Sequence, residues 1–140
     1  MTVRMLTPHL SVAEFACKHC GDIPHELKKT EMPYKFDVFF GMFETIRKEW
    51  DMPIRINSGF RCAVKNAQVG GAPLSIHLFG LALDLDCANE KGVEKMMKII
   101  EFACPELRVG KYSNFVHIDA GYYISPRIKE SWMEGIRWDG

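Results

Sequence analysis

Apolar residues between Lys35 and Trp50 recur at helical spacing. Phe36, Phe39, Phe40, Phe43, Ile46 and Trp50 form one wide stripe. The pattern predicts a helix over about 35–50, stopped by Pro53, whose stripe belongs to a core. Upstream, Ser11-Val12-Ala13-Glu14 has Ser at a cap and Glu three residues later. That is a capping box, so a short helix carrying Phe15 should start there. Cys17-Lys18-His19-Cys20-Gly21 interrupts it, and a second short helical stretch is expected from near Pro24. Another helix, near Cys62–Val69, should end at Gly70-Gly71. Asn89 can cap a helix running to about Cys104.

Elsewhere the period is two. Ile54-Arg55-Ile56-Asn57 reads as a short strand and Ser58-Gly59-Phe60-Arg61 as a turn. From Gly80 to Asp86, Leu81, Leu83 and Leu85 face one way, while Ala82, Asp84 and Asp86 face the other. Two further strands are expected, near Leu107–Lys111 and Phe115–Ala120. In the second, Phe115, His117 and Asp119 share a face opposite Val116 and Ile118. Gly121–Gly140 shows no clear period, and no repeat or linker interrupts the chain. The sum predicts one α+β domain over residues 1–140, a small, mainly antiparallel sheet with helices packed around it. Residues 122–140 read as a C-terminal extension.

Composition narrows the function. The chain has 140 residues, 47% of them hydrophobic, enough to bury a core. Its formal net charge is zero, which argues against a general electrostatic grip on nucleic acid or on an anionic membrane. No apolar run has the length of a membrane span. Met1–Leu10 has one Arg and no continuous apolar segment, unlike a secretory signal. Synthesis and folding in a bacterial cytoplasm, as a monomer, are the expectation. Five cysteines, an odd number, argue for mostly reduced thiols. Cys17 and Cys20 have C-x-x-C spacing with His9, His19 and His25 nearby; a structural zinc there would need two further ligands. The plain alternative is a pair of reduced or reversibly oxidised thiols. Cys62, Cys87 and Cys104 read as small buried apolar residues.

Candidate chemistry lies where polarity is costly. Asp84 sits between Leu83 and Leu85, and His117 between Val116 and Ile118. Buried carboxylates and imidazoles need partners. With His77, just before the Asp84 strand, they make two imidazoles and a carboxylate. That set suits a catalytic zinc with a fourth position open to water. A hydrogen-bonded His-Asp pair in a core is the alternative from residue types alone.

The ordered motifs resemble a known family. They are Ser58-Gly59-Phe60-Arg61, Asn66-Ala67, Val69-Gly70-Gly71-Ala72-Pro73, Ser75-x-His77-Leu78-x-Gly80-x-Ala82-x-Asp84 and Phe115-Val116-His117-Ile118-Asp119. From about Leu6 to Gly121 the chain resembles the zinc D-Ala-D-Ala peptidases, above all small members from phages and prophages. The resemblance implies one Zn2+ per chain on His77, Asp84 and His117, at the sheet's open face. It implies that Arg61 holds substrate or the developing oxyanion and that Ser75 lies near the substrate. The implied substrates are the D-amino-acid-containing stem peptides of peptidoglycan, cut by a carboxypeptidase or an endolysin-like endopeptidase at the cell wall. Phage lysis or virion association would fit.

One position departs from the pattern. Several family members carry an acid three residues before the last His ligand, where this chain has Asn114. An amide cannot serve as a general base. Alternation makes Asp119 the favoured replacement and Asp86 the second choice; either could instead orient a ligand imidazole. The rival to an enzyme is a peptidase-like module that binds wall peptides or serves in a virion.

Overall fold

The computed structural model describes residues 4–29, 31–124 and 137–139. It starts with a hairpin, β1 (Met5–Thr7) and β2 (Leu10–Ser11), that the hydrophobic pattern does not announce. Ser11 then caps the short helix α1 (Val12–Phe15). Its hydroxyl accepts from the Glu14 amide at 3.0 Å, and the Glu14 carboxylate accepts from the Ser11 amide at 2.9 Å. The stretch after Pro24 is a single 3-10 turn, His25–Lys28.

The aromatic stripe forms helix α2 (Tyr34–Trp50), with every predicted stripe residue buried. The terminator is Asp51, not Pro53. Its φ of 60° is left-handed, and its amide bonds the Arg47 carbonyl at 3.0 Å; Asp tolerates that conformation because its short polar side chain bonds locally. Phe40 meets Phe15 of α1 edge to face, ring centroids 5.3 Å apart. Burying one such ring contributes about 1.5–3 kcal/mol.

The remaining elements are β3 (Ile56–Ser58), α3 (Ala63–Gln68), β4 (Ala82–Asp86), α4 (Glu90–Ala103), β5 (Arg108–Lys111), β6 (Phe115–Asp119) and β7 (Arg137–Asp139). The Asn89 side chain caps α4, accepting from the Gly92 amide at 2.9 Å. The fold is α+β. The strands form one sheet in the order β3-β4-β6-β5-β7, antiparallel except between β5 and β7. β3 begins two residues later than alternation suggests, because its pairing with β4 starts at Ile56 opposite Leu85. Leu83, Leu85, Val116 and Ile118 are fully buried, with α4 packed on β6 and α2 on α4. Among the described residues, no helix is long and apolar enough to cross a membrane.

The register of this sheet positions the polar residues. Ser58 pairs with Asp84, Asp84 with His117, His117 with Gly110, and Gly110 with Trp138. One row across five strands therefore carries both central polar residues. Gly110 is required there. A Cβ on it would stand 2.5–2.7 Å from atoms of the Trp138 indole, so only glycine lets that ring lie on the strand. The C-terminal extension thus reaches the sheet through β7; residues 125–136 and 140 lie outside the described ones.

Candidate metal centre

His77 comes from a 3-10 turn, Ile76–Phe79, capped by Ser75, whose hydroxyl accepts from the His77 amide at 3.3 Å. The turn closes at Gly80, where φ is 76° and a Cβ would press on the Pro24 ring. Asp84 is at the centre of β4 and His117 faces it from β6. All three are buried, at 2%, 6% and 9% exposure.

The hydrogen bonds behind these residues define which atoms face inward. His77 Nδ1 lies 2.7 Å from the Gly59 carbonyl oxygen. A carbonyl only accepts, so Nδ1 carries the hydrogen and donates. Burial pushes the His77 pKa below its ordinary value, so the ring is neutral and Nε2 is a bare lone pair. That lone pair stands 3.1 Å from Asp84 Oδ1, an acceptor facing an acceptor. His117 Nδ1 lies 2.9 Å from the same oxygen. A cation among the three atoms resolves the conflict. Ligands at about 2.0–2.1 Å around a tetrahedral zinc are about 3.3 Å apart, within a few tenths of an ångström of these separations. The donor set therefore fits zinc through His77 Nε2, Asp84 and His117 Nδ1.

Asp119 holds His117 from behind. His117 Nε2 donates to Asp119 Oδ2 at 2.7 Å. The other carboxylate oxygen accepts from the Gly121 amide at 3.0 Å and pairs with Arg108 Nε at 3.2 Å. Asp119 is 1% exposed. Burial opposes protonation of His117, but the bonds to Asp119 and Asp84 outweigh it and raise the pKa to about 9. Burial likewise works against the Asp84 anion, yet the two imidazoles hold its pKa well below the usual carboxylate range. A metal at this point competes with the His117 proton.

Arg61 is fixed beside this donor set. Nε donates to Ser58 Oγ at 3.0 Å, Nη1 to Asn66 Oδ1 at 3.4 Å and Nη2 to Asp84 Oδ2 at 3.3 Å. Buried Asn66 is itself held by donating to the Ala72 carbonyl at 2.9 Å. These groups open onto a cavity of about 520 Å³, lined also by Ser75, Leu74, Tyr112, Phe115, Arg108 and Trp138. Its size suits a small peptide.

The structure thus brings His77, Asp84, His117, Asp119, Arg61 and Ser75 to one cavity. It does not bring Asp86, whose Oδ1 caps the Ala88 amide at 2.9 Å and which lines a separate cavity with Trp50 and Arg55. The Asn114 carbonyl accepts from the Cys87 amide at 2.9 Å. Among the described residues, the only carboxylates lining the cavity are Asp84 and Asp119. Sequence reasoning passed over Arg108, Trp138 and the role of Asn66. Only the pairing of Arg108 opposite Asp119 in β5 and β6 signals the first, and that pairing is tertiary. Trp138 sits in a segment without periodicity; its ring lies 5.2 Å from that of His117.

A family model described as Peptidase M15 matches residues 8–119, four-fifths of the chain, and the match takes in every residue of the cavity named above except Trp138. No curated protein matches the chain.

Proposed function

This chain belongs to the peptidase M15 family, the zinc D-Ala-D-Ala peptidases, and on that premise we propose that it hydrolyses D-amino-acid-containing stem peptides of bacterial peptidoglycan. One observation carries the reading: an inward-facing His77 Nε2, Asp84 Oδ1 and His117 Nδ1, each imidazole backed by a hydrogen bond, opening onto a peptide-sized cavity beside a fixed guanidinium. The place of action we assign is the wall.

Zinc bound there would polarise a scissile carbonyl and acidify a water molecule. The chain's own groups bind and orient around that point. Arg61, held on Ser58, Asn66 and Asp84, turns its remaining N–H donors to the substrate carbonyl or carboxylate as charge develops. The Gly59 carbonyl and Asp119 hold the two imidazoles so that His77 Nε2 and His117 Nδ1 would be the nitrogens offered to zinc. Asp119 therefore serves as a positioning residue for His117, the alternative to its being the general base. The Trp138, Tyr112 and Phe115 rings give the cavity apolar walls.

A second reading, a module that binds wall peptides without cutting them, is favoured by one observation. With Asn114 in place of an acid and Asp119 engaged with His117, Arg108 and Gly121, no unengaged carboxylate lines the cavity among the described residues. Zinc-loaded protein incubated with defined muropeptides separates the two. Product masses that report a hydrolysed bond support the enzyme; tight binding with no product after prolonged incubation supports the module.

A further inference from the structure

Three cysteines from two chain segments converge beside the turn that carries Arg61. The sulfurs of Cys17, Cys20 and Cys62 lie within 4.8 Å of one another, with Cys17 and Cys62 at 3.6 Å. All are free thiols; Cys17 is buried, Cys62 half-buried and Cys20 exposed. The expectation that Cys62 is merely a small apolar core residue is thereby corrected.

The backbone around Cys17 and Cys62 is shaped to hold anionic sulfur. The Cys17-to-Gly21 loop folds back on itself: the Gly21 amide bonds the Cys17 carbonyl at 2.8 Å, and the Cys17 amide bonds the Asp22 carbonyl at 2.9 Å. The His19 and Cys62 amides both donate to Cys17 Sγ at 3.4 Å, and the Lys65 amide donates to Cys62 Sγ at 3.4 Å. Burial pushes the Cys17 thiol up, but the Cys62, Cys20 and His19 amides, with the Cys62 thiol, bring it down to about 7. A disulfide would use two of the three sulfurs and must draw them to about 2.05 Å. Thiolates at about 2.3 Å around one zinc are about 3.8 Å apart, close to the 3.6 Å between Cys17 and Cys62.

We propose that Cys17, Cys20 and Cys62 hold a second zinc ion, structural and separate from the His77–Asp84–His117 centre. Cys62 supplies one of the two further ligands that a zinc on Cys17 and Cys20 needs, and a water molecule on the side of exposed Cys20 would be the other. The ion cross-links the N-terminal loop to the Arg61 turn. Three successive amides of that turn are already anchored, Phe60 to the Phe15 carbonyl at 2.8 Å, Arg61 to the His77 carbonyl at 3.0 Å and Cys62 to the Cys17 sulfur. The metal therefore stiffens the segment that presents the guanidinium. The binding site stands without the peptidase reading; only its effect on turnover rests on it.

Cobalt substitution of the reduced protein tests this. Thiolate ligands give an intense near-ultraviolet charge-transfer band that a His-Asp-His site cannot produce. The band is expected in the wild type and in His77→Ala, which loses only the other ion, and it should vanish in Cys20→Ser. Cys20 is exposed, so that variant keeps its fold. No band in the fully reduced wild type, or an unchanged band in Cys20→Ser, would overturn the proposal. So would peptide mapping that finds a Cys17–Cys62 disulfide in protein isolated under thiol-blocking conditions. Loss of the band in Cys20→Ser with intact wall-peptide turnover would keep the site and remove its link to Arg61.

Discussion

Asp119→Asn separates two roles for one carboxylate. In the structure Asp119 Oδ2 accepts a hydrogen bond from His117 Nε2 at 2.7 Å, while Oδ1 accepts one from the Gly121 amide at 3.0 Å. An asparagine cannot satisfy both. With its oxygen toward Gly121, the amide NH2 faces His117 and favours the tautomer whose hydrogen sits on Nδ1, the nitrogen a zinc would need bare. Turned the other way, the NH2 opposes the Gly121 N–H. Either arrangement loses one buried hydrogen bond, about 1–3 kcal/mol. That agrees with the 10–100-fold loss of metal affinity usual when a ligand's hydrogen-bond partner is removed. Chelator competition on the zinc protein should show such a loss, and turnover at saturating zinc should fall much less. A general base behaves oppositely: affinity holds and kcat drops by about a hundredfold or more. That second pattern would refute the positioning role and return Asp119 to acid–base chemistry.

Further outcomes follow from the same geometry. In metal-stripped protein, the His117 pKa of about 9 exceeds the unfolded value of about 6.5. That stabilisation is complete below about pH 6.5 and is lost as pH rises towards 9, on the order of a few kcal/mol. Thermal unfolding of the metal-free protein should therefore weaken across that window, and a flat profile would contradict the imidazolium between Asp84 and Asp119. Arg61→Lys replaces a fork anchored on three acceptors by a single ammonium; zinc content should hold while kcat/KM falls about a hundredfold, as for loss of an oxyanion donor, and full activity would leave Arg61 structural. Gly110→Val should push the Trp138 ring off β5 and raise KM, with kcat less affected; unchanged KM would remove Trp138 from the substrate wall.

Local signals in the sequence read well where local physics decides. The α2 stripe, the Ser11–Glu14 box and the Asn89 cap are each complete within a few residues, and each appears as expected. Alternation along β6 correctly puts Asp119 on the face of His117. It cannot tell whether the carboxylate points into the His77–Asp84–His117 cluster or at the back of the imidazole, because the two differ by side-chain rotation within one face. Asp86 shows the same limit: it shares the Asp84 strand yet turns towards Ala88. The Ser58–Asp84–His117–Gly110–Trp138 row depends on register between strands distant in the chain, which no single segment encodes. β7 is three residues long and has no period to read. Cys62 joins Cys17 only through the α1–β3 packing that seats Phe60 on Phe15.

Anomalous diffraction at the zinc edge from crystals of the metal-loaded protein locates the ion itself. A peak is expected about 2.0–2.2 Å from His77 Nε2, an Asp84 carboxylate oxygen and His117 Nδ1, with Nε2 of His117 still bonded to Asp119. A peak bound through His117 Nε2, or no peak between these residues in zinc-saturated crystals, would contradict it.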